Sequence, residues 1–303
     1  MVTRVLVVGG IGVDINVRLY DGQWPLPLGA DTIFAQVGDP SLGHAGSGVA
    51  LQAAALGCAV TVADVIGADE YGSFVRRELT LHGINLVSAI DLAGTRRSVN
   101  LVRPDGGRLS LHDPRHSYEM EPAPSLWNSA LADKDWVHIV IVNWARNALR
   151  DARARGILTS TDVQDWDGYQ EHHKEFAYGA DVVFCSATNL GNPSDLARDI
   201  FTNGVARIVV VTRGSQGSLI YTPETVDNPI VTPAVVLPGL KIVDTNGAGD
   251  SHCAALMTAV LAGDSLEVAG RKAALVASYS ASYPGTNDHL MSGEQLTDYI
   301  LNS

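Results

Sequence analysis

The sequence predicts an α/β fold, built on a mainly parallel sheet with helices on both faces. Three observations support this prediction. Apolar strand patterns alternate with helical patterns from residue 119 onward, and an apolar strand pattern also opens the chain. Two glycine-containing stretches, at 15–42 and 97–112, lack helical periodicity. We therefore expect a single α/β domain over residues 1–303, in which these two stretches pair as a small sheet standing off the main one.

The first half of the chain supplies the elements that open this sheet. It shows an apolar strand, an alanine-rich helix closed by Gly57, a second strand and a second helix, at 4–8, 49–56, 58–66 and 73–82. Residues 97–103 and 108–112 then predict two strands. The segment Pro104-Asp105-Gly106-Gly107 between them is a strong hairpin signal.

The second half repeats a strand and a helix in turn. Strand patterns occupy 136–142, 156–162, 181–185 and 208–212. A helix is expected at 194–203, where Gly204 ends the periodic pattern. Residues 208–221 predict two strands around a tight turn. Short loops between alternating elements favour parallel pairing of the strands.

The composition argues against nucleic acids and membranes as binding partners. The net charge is −12, from 33 acidic and 21 basic residues, with no Lys/Arg run, so nucleic acid is not an expected partner. No apolar run is long enough to cross a membrane, so no membrane partner is expected. The three cysteines are widely spaced, which argues against a disulfide framework or a zinc site. We expect a cytoplasmic protein that acts on small molecules.

The stretch 244–252 carries the clearest chemical signal. Gly247, Ala248 and Gly249 form a turn at a helix start, where unpaired N–H groups and the helix dipole favour an anion. Residues 241–243 are expected to end a strand before it. Asp250 lies at the mouth of this turn. It is either a base that takes a proton from an attacking hydroxyl or an N-cap of the helix, and both interpretations stand at this point.

Other candidate residues lie in small-residue turns. The turn after the first strand lacks the third glycine of a dinucleotide fingerprint, since Ile15 occupies that position. Asp14 follows this turn and either binds a ligand or stabilises the turn. Residues 43–48 form a glycine-rich helix start, suited to close packing or to ligand contact. Asn100 shares a polar strand face with Ser98, which could line a pocket or face solvent.

These motifs together resemble the ribokinase family, the PfkB-type carbohydrate kinases, over nearly the whole chain. Asp244-Thr245-Asn246-Gly247-Ala248-Gly249-Asp250 is similar to the main family signature. The turn Thr212-Arg213-Gly214-Ser215-Gln216-Gly217 resembles the family's nucleotide turn. The segment 67–84 and the glycine-rich segment 43–57 also match in order. The resemblance implies ATP-dependent phosphorylation of a sugar hydroxyl, with Mg²⁺, beneath a β lid formed by 13–42 and 95–117.

The resemblance also implies residue roles. Asp250 would be the catalytic base, and the amides of Gly247, Ala248 and Gly249 would stabilise the phosphoryl oxygens. Thr212, Gly214, Gly217, Asp244 and Thr245 would hold the nucleotide. The implied substrate contacts are Asp14, Gly43, Gly46 and Asn100. A monovalent cation is a further cofactor that the resemblance leaves open, as it leaves open a monomer or a homodimer.

Two positions depart from the family pattern. Gly48 stands where the family's substrate loop often carries Asn, which removes a polar sugar contact and makes room for a different acceptor. Ser186-Ala187-Thr188-Asn189 stands in place of an N-x-x-E segment that helps to organise Mg²⁺, so the metal ligands are left unassigned. Asp162 and Asp165, at the end of the preceding strand pattern, are either candidate second polar groups or solvated loop acids, and Asp162 is the one expected to contact the substrate.

Three stretches resemble the acarbose 7-kinase branch of the family: 97–113, 160–168 and 180–188. In that branch Trp166 could stack on a sugar ring, although packing is the commoner role of an isolated tryptophan. The resemblance makes acarbose the best specific expectation for the acceptor. The alternatives are another PfkB-type sugar or nucleoside kinase, a catalytically weak ligand-binding protein on the same fold, and a nicotinamide enzyme, against which the broken glycine fingerprint speaks.

Overall fold

The structure is a computed structural model that describes residues 2–26, 29, 32–104, 107–285, 287 and 289–301. The strands are β1 (Arg4–Val8), β2 (Gly12–Leu19), β3 (Ala35–Val37), β4 (Ser41–Gly43), β5 (Ala59–Gly67), β6 (Asn85–Asp91), β7 (Arg97–Val102), β8 (Arg108–Asp113), β9 (Trp136–Val140), β10 (Leu158–Asp162), β11 (Val182–Ser186), β12 (Ile208–Thr212), β13 (Ser218–Tyr221) and β14 (Ile230–Thr232). The helices are α1 (Ala45–Ala55), α2 (Glu70–Leu81), α3 (Ser125–Asn128), α4 (Ala145–Ala154), α5 (Glu171–Gly179), α6 (Pro193–Asn203), α7 (Ala248–Leu261), α8 (Leu266–Ala281) and α9 (Gly293–Leu301).

The large sheet confirms the predicted α/β class. Its nine strands follow the order β14-β13-β12-β11-β10-β9-β1-β5-β6. All neighbours from β12 to β6 pair in parallel, and the predicted hairpin of β12 and β13 pairs antiparallel, as does β14 with β13. The strand β6 at one edge was not expected from the sequence. Its burial pattern has no fully buried residue, so it lacks the strong apolar signal of the central strands.

Two apolar cores lie on opposite faces of this sheet. Side chains alternate along β1, so Val5 and Val7 belong to one core while Leu6 and Val8 belong to the other. Residues of α1, α7 and α8 cover the first face, and residues of α3 to α6 cover the second. This double covering explains why the central strands are apolar on both sides.

Two sequence expectations about local structure are wrong. Residues 241–243 are not a strand, and Ile242 and Val243 are largely exposed. Their apolar composition resembled a strand end, but they form an irregular segment whose Val243 and Asp244 N–H groups bond to Ala281 O. The helix α1 begins at Ala45, four residues before the predicted start. Gly46 and Gly48 are therefore helical residues and not loop residues.

The two glycine-containing stretches form the expected small sheet, in the order β3-β2-β7-β8 with β4 also paired to β2. The strands β2 and β7 run parallel, although they lie far apart in the sequence. The predicted hairpin of β7 and β8 is antiparallel. Asp105 and Gly106 of its predicted turn lie outside the described residues.

A buried ion pair fixes the point where the small sheet leaves the large one. Arg96, directly before β7, donates to both carboxylate oxygens of Asp64 on β5, at 2.9 and 3.4 Å. The same carboxylate accepts the N–H of Ile11, directly before β2, at 2.7 Å. Asp64 is 0% and Arg96 5% exposed. One carboxylate thus anchors the starts of both strands that build the small sheet.

Replacing Arg96 tests this anchor. Arg96→Leu leaves the Asp64 carboxylate buried without its cation, so we expect the free energy of unfolding to fall by about 3–5 kcal/mol. Denaturant unfolding measures the change. Arg97→Leu is the matched control, because Arg97 pairs with the half-exposed Asp113 at 3.2 Å and should cost at most about 1 kcal/mol. Equal losses in the two variants would contradict the anchor role.

Candidate active site

The turn before α7 has the geometry of an anion site. Gly247 is the N-cap residue and adopts a left-handed φ of 77°, a conformation that favours glycine. The first N–H groups of α7 have no partner within the helix, and the helix dipole adds positive potential. The N–H of Ala248 donates a long bond of 3.3 Å to Thr245 O. This long bond leaves the N–H of Ala248 weakly bound, and the roles of the Gly247, Ala248 and Gly249 amides stay predictions.

Asp250 is the third residue of α7, in its first turn. Because Gly247 caps the helix, the N-cap interpretation of Asp250 is wrong. Burial raises the pKa of Asp250 well above its usual range, and the negative charges of Asp162 and Asp14 raise it further, against the lowering effect of Arg108. A carboxylate with a raised pKa accepts a proton more readily near neutral pH. The base interpretation therefore gains physical support.

Gly48 makes room for this carboxylate. A Cβ at position 48 would lie 2.4 Å from Asp250 Oδ2 and 2.6 Å from Asp250 Cβ. The departure from Asn at this position thus leaves space that the Asp250 side chain fills. Gly46 serves packing instead, since its Cβ would lie 2.1 Å from Gly9 O. The backbones of α1 and of the turn after β1 approach closely here, and the predicted substrate contact of Gly46 stays a prediction.

Asp14 lies on β2 and is buried, so the turn-stabilising interpretation is wrong. Gly43 on the paired strand β4 accommodates it, because a Cβ there would lie 2.0 Å from the Asp14 carboxylate carbon. His44 Nε2 lies 3.7 Å from Asp14 Oδ1. Burial, with the nearby Arg96 charge and His112, holds the pKa of His44 well below its usual value. The imidazole is therefore neutral beside the carboxylate.

The polar face of the small sheet forms three rows across β2, β7 and β8. The register places Asp14, Ser98 and His112 in the first row, Asn16, Asn100 and Ser110 in the second, and Arg18, Val102 and Arg108 in the third. Ser98 and Asn100 are buried, which contradicts the solvent-face alternative and favours the pocket. Asn100 Nδ2 donates to Asn16 Oδ1 at 3.1 Å, and Ser98 Oγ lies 3.1 Å from His112 Nδ1.

The predicted nucleotide turn follows β12. Thr212 ends the strand, and its Oγ1 donates to Cys185 O at 3.3 Å. Gly214 and Gly217 both adopt positive φ, of 55° and 82°. A Cβ at Gly214 would meet open space, whereas one at Gly217 would lie 2.0 Å from Thr232 O. Gly214 is therefore the more accessible of the two to a ligand, and Gly217 is required by close packing.

The Asp244 side chain accepts hydrogen bonds mainly from backbone groups near it. Its side chain is buried, Oδ1 accepts the N–H of Asn246 at 3.0 Å, and Oδ2 accepts the N–H of Gly285 at 3.2 Å. Arg18 lies 3.8 Å from Oδ2. Thr245 is exposed beside it. These contacts make Asp244 the residue that shapes the turn before Gly247, while its predicted nucleotide contact stays a prediction.

Of the two further predicted substrate contacts, Asp162 lies near Asp250, whereas Trp166 lies in the core. Asp162 ends β10, and its charge is among the causes that raise the pKa of Asp250, so the structure brings the two carboxylates together. Trp166 is only 1% exposed and stacks on His173 with a centroid separation of 6.2 Å. The predicted sugar-stacking role of Trp166 is wrong, because its ring is part of the core.

Sequence reasoning missed four residues of this site: Arg18, His44, Arg108 and His112. Arg108 Nη1 donates to Asn246 Oδ1 in the turn before α7. A signal was present for two of the four. Residues alternate across a strand, so Arg108 and His112 share a face once the hairpin brings that face beside Ser98 and Asn100. His44 gave no signal, since its φ of 70° is a property of the folded backbone.

Comparison with known proteins assigns the family. Residues 4–292 match the pfkB family carbohydrate kinases. The chain belongs to this family. It is therefore a carbohydrate kinase, and the roles of its individual residues stay predictions. The nicotinamide-enzyme alternative is thereby excluded.

Two curated relatives align over most of the chain. The acarbose 7(IV)-phosphotransferase of Actinoplanes sp. is 36% identical over 286 residues, covering 94% of both chains. The nucleoside kinase of Methanothermobacter thermautotrophicus is 30% identical over 262 residues, covering 82% of this chain and 81% of that protein.

Solved structures show the same fold. A microbiome-derived acarbose kinase, Mak1, superposes with a TM-score of 0.92 at 42% identity, covering 99% of this chain and 100% of that one. The ribokinase of Arabidopsis thaliana, complexed with ribose and ATP, superposes with a TM-score of 0.78 at 20% identity, covering 98% of both chains. The second likeness establishes the ribokinase-like fold alone. Among the described helices, none has the length and apolar character to cross a membrane.

Replacing Gly48 tests the fit around Asp250. Gly48→Ala places a Cβ in the space of the carboxylate, so Asp250 must move, and we expect kcat/KM to fall by roughly 10²-fold. ATP affinity should stay unchanged, because the nucleotide turn is not touched. Steady-state kinetics and nucleotide titration measure both.

Gly191→Ala is the matched control for this prediction. A Cβ at Gly191 meets no atom within 4 Å, and the residue is exposed. Wild-type kinetics in both variants would contradict the close fit between α1 and Asp250.

Proposed function

We propose that this protein transfers the γ-phosphoryl group of ATP to a hydroxyl of acarbose or a closely related pseudo-oligosaccharide. The observation that supports this acceptor most is the likeness to Mak1, at 42% identity over nearly the full length of both chains. The Actinoplanes phosphotransferase supports the same acceptor at 36% identity. The nucleoside kinase relative makes a nucleoside the main competing acceptor.

The polar rows of the small sheet suit a polyhydroxylated acceptor. Asp14 accepts hydrogen bonds, Asn16 and Asn100 both donate and accept, and the neutral His44 and His112 can do either. Such mixed groups match sugar hydroxyls, which are themselves donors and acceptors. We assign the rows of Asp14 and Asn16 to the acceptor, and the small sheet to the role of a lid. A closed lid would keep water from the γ-phosphoryl group and limit ATP hydrolysis.

Asp250 carries the proton in the proposed step. The acceptor hydroxyl gives its proton to the Asp250 carboxylate, and its oxygen forms a bond to the γ-phosphorus. The bond from that phosphorus to the ADP oxygen breaks, and ADP leaves. The amides of Gly247 and Gly249 bind the phosphoryl oxygens, where negative charge must be held during transfer.

The oxygen ligands available at this site suit a Mg²⁺ ion that is bound mainly by the nucleotide phosphates. Among the described residues, no group of three His, Cys, Asp or Glu side chains is arranged to hold a metal ion. Mg²⁺ commonly uses only one or two protein carboxylates together with phosphates and waters. We assign Asp162 as the carboxylate nearest this role, acting directly or through water. When bound, Mg²⁺ would neutralise phosphate charge beside the acidic groups.

An acceptor panel tests the proposal. The protein is incubated with ATP and Mg²⁺ together with acarbose, a maltooligosaccharide, ribose, fructose or a nucleoside, and the products are read by mass. We expect acarbose to gain one phosphoryl group and to show the highest kcat/KM of the panel. A higher kcat/KM for a nucleoside or a simple sugar would contradict acarbose as the acceptor. Nucleotide binding without any product would favour the weak ligand-binding alternative.

Asp250→Asn tests the base. With the preferred acceptor we expect kcat to fall by about 10²–10⁴-fold, while ATP affinity stays near the wild-type value. Asp195→Asn is the matched control, because Asp195 holds the same third position in α6 but is exposed. Unchanged turnover of Asp250→Asn would remove Asp250 from the mechanism.

A further inference from the structure

The third row of the small sheet is cationic and reaches the turn before α7. Arg18 on β2 and Arg108 on β8 flank Val102 on β7, as the strand register requires. Arg18 approaches Asp244 and Arg108 donates to Asn246, two residues apart in the same turn. The small sheet therefore places two guanidinium groups against the segment that leads into Gly247.

The two arginines differ in the charge of the group that each contacts. Arg18 lies 3.8 Å from a carboxylate whose side chain is only 4% exposed, so its charge is matched by Asp244. Arg108 is exposed and contacts the neutral amide oxygen of Asn246. The amide oxygen does not neutralise the guanidinium charge, and a phosphoryl oxygen, being ionised, forms the stronger charge-assisted hydrogen bond with it. Arg108 is thus the arginine available to a ligand.

The region around Asp250 is strongly acidic, so a positive charge there would stabilise a bound phosphoryl group. The carboxylates of Asp162 and Asp14 both act on Asp250, and the charge of Arg108 opposes them. A γ-phosphoryl group entering this region brings further negative charge to three carboxylates. Mg²⁺ and helix amides offset part of this repulsion. The planar guanidinium adds two parallel N–H donors that match a phosphoryl group.

We propose that Arg108 is a catalytic residue whose guanidinium leaves Asn246 and binds the γ-phosphoryl oxygens during transfer. This inference rests on the proposed kinase function of the same site. Arg108 takes no proton and forms no covalent bond, because the proton passes from the acceptor hydroxyl to Asp250. Its role is to hold the charge that grows on the phosphoryl oxygens. Since Arg108 belongs to β8, the small sheet must lie over the site for this charge to be in place.

Arg108→Ala gives the primary test. With the preferred acceptor we expect kcat to fall by about 10²–10³-fold, while ADP affinity and the KM of the acceptor stay unchanged. Added guanidinium ion at millimolar concentration should restore part of the lost kcat, and Arg108→Lys should retain more activity than Arg108→Ala. Arg97→Ala is the matched control, since Arg97 lies on the neighbouring strand and pairs with Asp113. A wild-type kcat in Arg108→Ala would overturn the inference.

A second measurement separates this inference from the proposed function. Binding of ADP with aluminium fluoride, a phosphoryl mimic, is compared with binding of ADP alone by calorimetry, which requires no turnover. We expect aluminium fluoride to tighten ADP binding in the wild type and in Arg97→Ala but not in Arg108→Ala. Equal tightening in Arg108→Ala overturns the role of Arg108 even if the protein is a kinase. Loss of this tightening in Arg108→Ala alone supports the role of Arg108 even if acarbose is not the acceptor.

Discussion

The proposed mechanism depends on one electrostatic constraint: the Asp250 carboxylate must remain basic beside a turn whose geometry favours anions. An ordinary carboxylate at a helix start is stabilised by the dipole and is a weak base. Here burial and the charges of Asp162 and Asp14 act in the opposite direction and raise its pKa. Gly48 allows the carboxylate to occupy this buried position, because any side chain at residue 48 would fill the same space.

The small sheet supplies what the large sheet lacks. The carboxyl end of β10 brings Asp162 toward the site, as parallel sheets commonly do at a ligand crevice. The small sheet adds Asp14, amides, the imidazole of His112 and two arginines in rows set by strand register. The ion pair of Asp64 and Arg96 fixes where β2 and β7 begin, and so fixes where these rows fall. The proposed acceptor recognition, charge compensation and exclusion of water therefore share one structural anchor.

Local patterns in the sequence were sufficient for the α/β class, the pairing of two distant glycine-containing stretches and the turn that carries Asp250. They were not sufficient where spatial context decides the role. Trp166 could not be placed in the core without knowing that His173 packs on it. Residues 241–243 are apolar yet exposed, so composition alone was misleading. Arg108 and Asn246 are 138 residues apart, and their contact depends on how the small sheet lies against the turn before α7, which no single segment encodes.

The pH dependence of kcat/KM tests the central claim about Asp250 most directly. A base with a raised pKa loses activity as the pH falls through that value, so we predict an acid limb well above the pH at which an ordinary aspartate, with a pKa of about 3.9, titrates. Asp162→Asn removes a charge that raises this pKa, so its acid limb should move to lower pH. Asp167→Asn, in the same loop, should not move it, and substrate ionisation is common to all three proteins. An acid limb that is unchanged in Asp162→Asn, or that lies at the pKa of an ordinary aspartate in the wild type, would contradict the account.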